Sequence, residues 1–300
     1  MMKRLLTYIL LLLSVSQVFA QQTPLYSMYM FNELSYNPAV AGRNDYCEAQ
    51  VNNRYQFVGI ENAPITATIT LTGKLRQHPM GWGGMIYNDS QGAFSKFGVY
   101  GAYSYQLKVG EQSKLSFGLN AGLVKYAVDM TKIRFLQTEE NLTEYMYTSV
   151  RPDASFGVYF DAKDYFVGLS LDQLLNNKIE VYNDTLAVDN TLNRFKSHFN
   201  LMGGYRYRIS NSLLSESSVV FRKVAASPLQ MELSSRVTYR EVIWGGMSFR
   251  TSDAIVLFVG YTFRDLLSFG YSYDITYSGL RKASHGAHEV FLSIKFKQNE

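Results

Sequence analysis

The sequence predicts an all-β chain that closes into a transmembrane, outer-membrane-type barrel of about fourteen antiparallel strands, with a plug-like segment ahead of the first strand. Three observations predict it. The chain opens with an export leader and has no later apolar span, a period-two alternation recurs along its length, and its connections sort into short and long by position.

Residues 1–20, MMKRLLTYILLLLSVSQVFA, carry Lys3 and Arg4, an apolar run from Leu5 to Leu13, and small side chains at Val18 and Ala20. That is the pattern of a signal peptide cut before Gln21. The run is too short for a membrane-crossing helix, and after Gln21 no stretch approaches ~18 consecutive apolar residues. A helical inner-membrane protein is thereby excluded, leaving a soluble exported protein or an outer-membrane barrel. Composition leans toward short strands: 23 Tyr, 19 Phe and 22 Gly stand against 6 Pro and one Cys. Cys47 has no internal disulfide partner. The formal charge of +4, or +2 once Lys3 and Arg4 leave with the leader, is too small to imply a nucleic-acid partner.

Residues 21–46 precede the first strand. Within them MYMFNELSYNPAVAGRNDY (28–46) is rich in aromatics, with Asn37-Pro38 and Gly42 as turn formers, and shows neither a helical stripe nor an alternation. Such a segment can fold back into a wide polar barrel or lie across its mouth, taking Tyr29, Met30 and Phe31 out of water. Packing on the outer lower rim is the alternative. Alternation then begins. Residues 47–58 put Glu48, Gln50, Asn52, Arg54 and Gln56 on one face. In 64–76, Ile65, Ala67, Ile69, Leu71 and Leu75 oppose Thr66, Thr68, Thr70, Thr72, Lys74 and Arg76. Strands at 80–88 and 92–107 follow, where Gly81, Gly83 and Gly84 read as relief of crowding or bending of the wall. In 113–128 Leu115, Phe117, Leu119, Ala121 and Leu123 form the apolar face. Further strands fall at 153–161, 163–171, 194–209 and 212–222. Residues 229–240 oppose Leu229, Met231, Leu233, Val237 and Tyr239 to Gln230, Glu232, Ser234, Arg236, Thr238 and Arg240. The series ends with 242–250, 254–263, 266–274 and 287–297, followed by a tail at 298–300.

A soluble sandwich also alternates. Two features argue against it. Many segments reach about ten residues, the length a tilted strand needs to cross hydrocarbon. Even-numbered strands are followed by tight turns, whereas the long connections at 129–152, 172–193 and 275–286 all follow odd ones and would emerge on one side. A sandwich has no reason to sort loops in this way. With the N- and C-termini of the chain periplasmic, the long loops are extracellular. Tyr100, Tyr103 and Tyr105, and Tyr271, Tyr273 and Tyr277, suit interfacial girdles. The inward set, represented by Arg54, Thr66, Lys74, Glu232, Arg236 and Arg240, makes the lumen polar.

Catalytic chemistry finds little purchase. In SHGAHE (284–289), His285, His288 and Glu289 lack the spacing of a helical zinc motif, and Ser284 and His285 face opposite ways on a strand. No G-x-S-x-G is present, and neither a cofactor nor a metal is expected. Asn141-Leu-Thr143 and Asn183-Asp-Thr185 match a glycosylation pattern that carries little weight in a bacterial setting.

Three stretches carry a family resemblance. MYMFNELSYNPAVAG, then NRYQFVGIENAPITATIT at 53–70 and SYDITYSGLRKASHGAHEVFLSIKF at 272–296, resemble the PorP/SprF outer-membrane proteins of the type IX secretion system. The matching positions are Tyr29-Met30-Phe31-Asn32, Asn37-Pro38-Ala39, Ala41-Gly42, Ala63-Pro64, Ser278-Gly279-Leu280-Arg281, Gly286 and His288-Glu289, with Phe57 and Ala287 as departures. The resemblance implies a non-enzymatic barrel working with the secretion apparatus, in some members delivering adhesins used in gliding. It implies outer-membrane lipid, periplasmic scaffold or translocon components, and secreted adhesins as partners. Contacts are expected from 28–42 and from the long loops, including Glu139, Glu140, Glu144 and Tyr145. A porin-like or fatty-acid-channel-like transporter is the competing expectation.

Overall fold

Alternation along each strand becomes an inside and an outside once the strands close into a ring. The structure, a computed structural model, describes residues 25–75, 78–132, 146–177, 196–224 and 227–296. The leader, Glu139 to Tyr145, Arg76, both glycosylation-like triplets and most of two long loops lie outside the described residues. Fourteen strands form one closed antiparallel barrel. In chain order they are β1 (Cys47–Tyr55), β2 (Ile65–Leu75), β3 (Met80–Gln91), β4 (Phe94–Gly110), β5 (Ser113–Asp129), β6 (Met146–Asp161) and β7 (Tyr165–Asp172). They continue as β8 (His198–Ser210), β9 (Leu213–Val224), β10 (Gln230–Tyr239), β11 (Ile243–Arg250), β12 (Ala254–Phe263), β13 (Leu267–Thr276) and β14 (Ala287–Phe296). Each strand pairs with the next, and β14 closes on β1 from Cys47 opposite Phe296 to Tyr55 opposite His288. Closure leaves no unpaired edge, the condition for strands to stand in lipid. No described helix is long and apolar enough to cross a membrane.

The two faces part cleanly. Ile69, Leu119, Leu123, Leu257 and Val259 stand outward and exposed, while Asn52, Thr68, Ser234 and Glu232 are buried within the ring. An outer wall so uniformly apolar would be costly in water and is stable against hydrocarbon. Outward Tyr103, Tyr105, Tyr205 and Tyr207 lie toward the tight-turn ends of β4 and β8.

Several boundaries and faces differ from the expectation. β6 begins at Met146 rather than 153, because the ladder to β5 runs through Pro152 opposite Leu123. Tyr100 is not part of a girdle: parity turns it inward, where it is buried. Arg240 is not on the inner wall. It sits at φ 51° in the turn after β10, exposed, with its guanidinium 5.2 Å from the Tyr239 ring, since the strand has ended and alternation no longer applies.

On the long-connection side, residues 56–64 and 277–286 are laced together. His285 N donates to Val58 O at 2.7 Å and Val58 N donates to Gly286 O at 2.9 Å. Gly286 has φ +91°, and a Cβ there would stand 2.3 Å from Asp274 O. Backbone of that kind suits glycine alone. Gly286→Val is therefore expected to destabilise the barrel by about 1–3 kcal/mol, read as a lower temperature for the heat-modifiable gel shift of the folded protein.

Candidate interaction site in the barrel lumen

The aromatic segment ahead of β1 lies inside the ring. Tyr26, Met28, Tyr29, Met30, Leu34 and Tyr36 are all buried there. It is built from turns, 28 to 32 and two short 3-10 pieces at Glu33–Ser35 and Pro38–Val40, because it lacks the periodicity that would let it be strand or long helix. Asn37 starts the second piece: its side chain accepts from Ala39 N at 2.9 Å, and Pro38 supplies a preset φ at the first helical position.

The segment runs the length of the lumen. Near the long-connection mouth, Ser27 N and Met28 N donate to the Glu289 carboxylate at 2.6 and 3.3 Å. Ser27 Oγ donates to Asp274 at 2.7 and 2.8 Å and accepts from Arg54 at 2.5 Å and Arg250 at 3.2 Å. At the tight-turn mouth, Gly42 N donates to Thr72 Oγ1, while Ser104 Oγ and Gln106 Nε2 donate to the carbonyls of Ala41 and Gly42. Between these ends Tyr29 OH bonds Ser218 at 2.7 Å and Ser234 at 3.0 Å, Asn32 bonds Asn52 and Thr70, and Gln50 donates to Phe31 O. Asn37 Nδ2 reaches Val158 O and Leu169 O, at 3.1 and 3.2 Å, on two neighbouring strands.

A charge lattice holds the first anchor. Arg54 pairs with Asp274 at 2.7 Å and Glu289 at 3.4 Å; Arg250 pairs with Glu232 at 3.0 Å and Asp274 at 3.3 Å; Arg222 reaches Glu232 at 3.2 Å. Three guanidinium groups thus face three carboxylates, and Arg250 also meets Asp253 at the rim at 3.0 Å. Such groups are stable out of water when mutually paired, and this lattice gives every one of them an opposite charge, while Arg54 Nε and Arg222 Nε and Nη2 stay buried without a hydrogen-bond partner among the described residues. Apolar and cation–π contacts add to it. The Phe31 ring lies 4.1 Å from Trp244 and 5.4 Å from Phe291, with Arg236 over its face at 4.5 Å, and Arg222 stands 4.9 Å from the Tyr36 ring.

Inner-wall glycines make room for the segment. A Cβ on Gly118 would fall 2.2 Å from Ala39 N, one on Gly81 would fall 2.0 Å from Ala41 O, and one on Gly157 would fall 2.0 Å from Asn37 Oδ1. Gly42, at φ +63°, is itself pressed against the Gly81 backbone. At Gly118 and Gly81 wall and segment touch backbone to backbone, and at Gly157 the wall meets the Asn37 side chain.

Of the residues singled out in sequence, Tyr29, Met30, Phe31, Asn32, Asn37, Pro38 and Gly42 lie in the lumen, and Arg54, Glu232 and Glu289 are brought together with Ser27 around the first anchor. Thr66 faces inward and donates to Asp89 at 2.6 Å. Arg236 also faces inward, bonded to Glu216 at 3.2 Å. Lys74 stands at the tight-turn rim with Asp45 at 2.5 Å, and that bond holds the Asp45 carboxyl below its usual range. Ser278, Gly279, Leu280 and Arg281 form an exposed 3-10 turn away from the lumen. His288 turns outward, its Nδ1 2.6 Å from Tyr271 OH, whereas the adjacent Glu289 turns inward. His285, His288 and Glu289 therefore do not converge on one point. Sequence reasoning missed Ser27, Asp274, Arg250 and Arg222. A charged residue on the otherwise Ser/Thr-rich inner face of a strand, as at Asp274 and Arg250, is the signal that marks such anchors.

The comparisons with known proteins bear on the barrel fold and the family. A search of curated proteins found no match. Among solved structures, a Pseudomonas aeruginosa FadL homologue aligns at 12% identity and TM-score 0.50, covering 88% of this chain and 93% of that one. The CymD monoaromatic hydrocarbon channel aligns at 12% identity and TM-score 0.51, covering 91% and 92%. A deletion mutant of TodX, also a monoaromatic hydrocarbon channel, aligns at 8% identity and TM-score 0.52, covering 88% and 94%. At these identities the likeness is one of fold, that of outer-membrane barrels. A family profile described as "Type IX secretion system membrane protein PorP/SprF" matches residues 18–294. Spanning all fourteen strands but for the last residues of β14, together with the lumenal segment, that match makes the chain a member of the PorP/SprF family of type IX secretion system membrane proteins.

Proposed function

We propose that the chain serves type IX secretion as a non-enzymatic recognition component, engaging secreted cargo or a periplasmic scaffold through its mouths and loops rather than passing solutes through its lumen. The observation that carries this reading is the occupied lumen: residues 26–43 cross it, anchored by paired charges at one end and by wall-to-carbonyl hydrogen bonds at the other. A diffusion channel needs a continuous wet path. Fold likeness to hydrocarbon channels supports the transporter alternative only at the level of architecture.

In this reading the tight-turn mouth faces the periplasm and the long connections face outward. The scaffold or translocon then meets the rim around Asp45 and Lys74. The exposed Leu280 and Arg281 turn belongs to the outer surface, where adhesins such as those used in gliding would be handed on. Deleting the gene is expected to lower release of a reporter bearing a type IX targeting domain by roughly tenfold or more, with uptake of small solutes unchanged. Intact release combined with impaired solute uptake would overturn the proposal in favour of transport.

A further inference from the structure

The lumenal segment does not fill the ring completely. On its long-connection side, between the segment and β3 to β7, a cavity of about 60 Å³ is left, lined among others by Tyr87, Tyr100, Asn120, Asp153, Ser155 and Asp172. The space suits about four waters or the head of one small organic ion. Among the described residues its lining contains no Lys, Arg or His.

The polar groups of this cavity are arranged unlike those of the anchor. At the anchor, Glu232, Asp274 and Glu289 each meet a guanidinium. Among the described residues Asp153 and Asp172 meet neutral donors: Tyr100 OH donates to Asp153 Oδ2 at 2.8 Å and Asn200 Nδ2 donates to Asp172 Oδ2 at 2.7 Å. Among the described residues neither carboxylate takes part in a salt bridge. Asn120 is 8% exposed, lines the cavity, and has an Oδ1 with no hydrogen-bond partner. Ser35 Oγ, on the segment's side, is likewise buried and unpartnered. A buried acceptor left unmade is costly, and two carboxylates lacking a cation add to that cost. Around them stand aromatic rings, with Tyr87 and Tyr100 stacked at 6.1 Å and Tyr26 and Tyr36 edge to face at 6.0 Å.

We propose that this cavity binds a small organic cation bearing N–H donors, a guanidinium or primary ammonium head. The carboxylates of Asp153 and Asp172 neutralise it, Asn120 Oδ1 accepts one of its N–H bonds, and the tyrosine faces contact its plane. A bare metal ion would use the oxygens but not the aromatic walls, and it is smaller than the cavity. The inference stands apart from the role in secretion, since it concerns only what occupies this space.

The test is calorimetric titration of the full-length barrel in detergent with methylguanidinium, against methylurea as a neutral mimic of the same shape. One saturable site for methylguanidinium and none for methylurea is expected, weakened roughly tenfold or more by Asp153→Asn with Asp172→Asn. Should that pair fail to fold, Asn120→Leu, nearly isosteric but without the Oδ1 acceptor, is expected to weaken methylguanidinium binding roughly tenfold or more. Agmatine and the amide of Gly-Arg-Gly separate the sources: binding of agmatine alone indicates a free amine, and binding of both indicates a polypeptide side chain. Wild-type protein that does not distinguish methylguanidinium from methylurea overturns the proposal. So does binding that survives the variants, or a site that takes calcium in place of the organic cation.

Discussion

Gly118→Leu is expected to turn a closed barrel into an ion-conducting one. In planar bilayers the wild-type protein should remain near the baseline, whereas the variant should show stepwise conductance roughly tenfold or more above it. The reason is steric and local. The inner face of β5 has no side chain at Gly118, and the Pro38 carbonyl carbon and the Ala39 amide occupy that space at 2.3 and 2.2 Å from where a Cβ would be. Both atoms are backbone of a 3-10 turn held from two sides by Asn37, so no rotamer change can relieve the overlap. Either the wall or the segment must move, and the wall is tied on both flanks by the β4 and β6 ladders. The segment is the weaker party. Gly101→Leu is the matching control, because a Cβ there meets nothing within 4 Å and the position is exposed on the outer face. Deleting residues 25–42 should reproduce the open behaviour. A silent Gly118→Leu barrel together with a silent deletion would show that the segment does not close the lumen.

Arg250→Met is expected to be the most destabilising single change in the barrel, by about 3–5 kcal/mol. Arg250 is fully buried and serves Glu232, Asp253, Asp274 and Ser27 at once. Its removal leaves Glu232 with Arg222 alone at 3.2 Å, and Asp274 with Arg54 at 2.7 Å. An uncompensated charge in a filled lumen then has no water to turn to. Thermal loss of strand signal in circular dichroism measures the effect, and limited proteolysis near Ser27 should show the segment loosening. Pairing the change with Glu232→Leu should recover part of the loss, since both halves of a buried pair are then gone. Full additivity of the two changes would mean that the lattice acts as independent contacts.

The barrel was legible because its cause is local. Alternation at 64–76 or 229–240 needs only neighbours two residues apart, and it survives as Ile69 outside and Glu232 inside. Where local order failed, so did the reading. Arg240 lies past the end of β10, where alternation no longer applies, and β6 starts ahead of residue 153, its ladder running through Pro152. Gly81 does relieve crowding, as its place in a strand suggests, but alternation gives no sign that the neighbour it makes room for is Ala41. The lumenal site was legible only in its endpoints. Its cohesion depends on contacts such as Ser27 with Glu289, 262 residues apart, and no periodicity announces a pairing of that span. Nor did the sequence distinguish the outward His288 from the inward Glu289 by anything but parity.

One feature of the ring bears on how the molecule holds together. The seam joins the last strand to the first, and both sides of it grip the same stretch of chain: Glu289 on β14 takes the amides of Ser27 and Met28, while Asn52 and Arg54 on β1 hold Asn32 and Ser27. Closing the seam brings the two halves of that clasp together, so ring closure and seating of the segment each stabilise the other in the finished molecule.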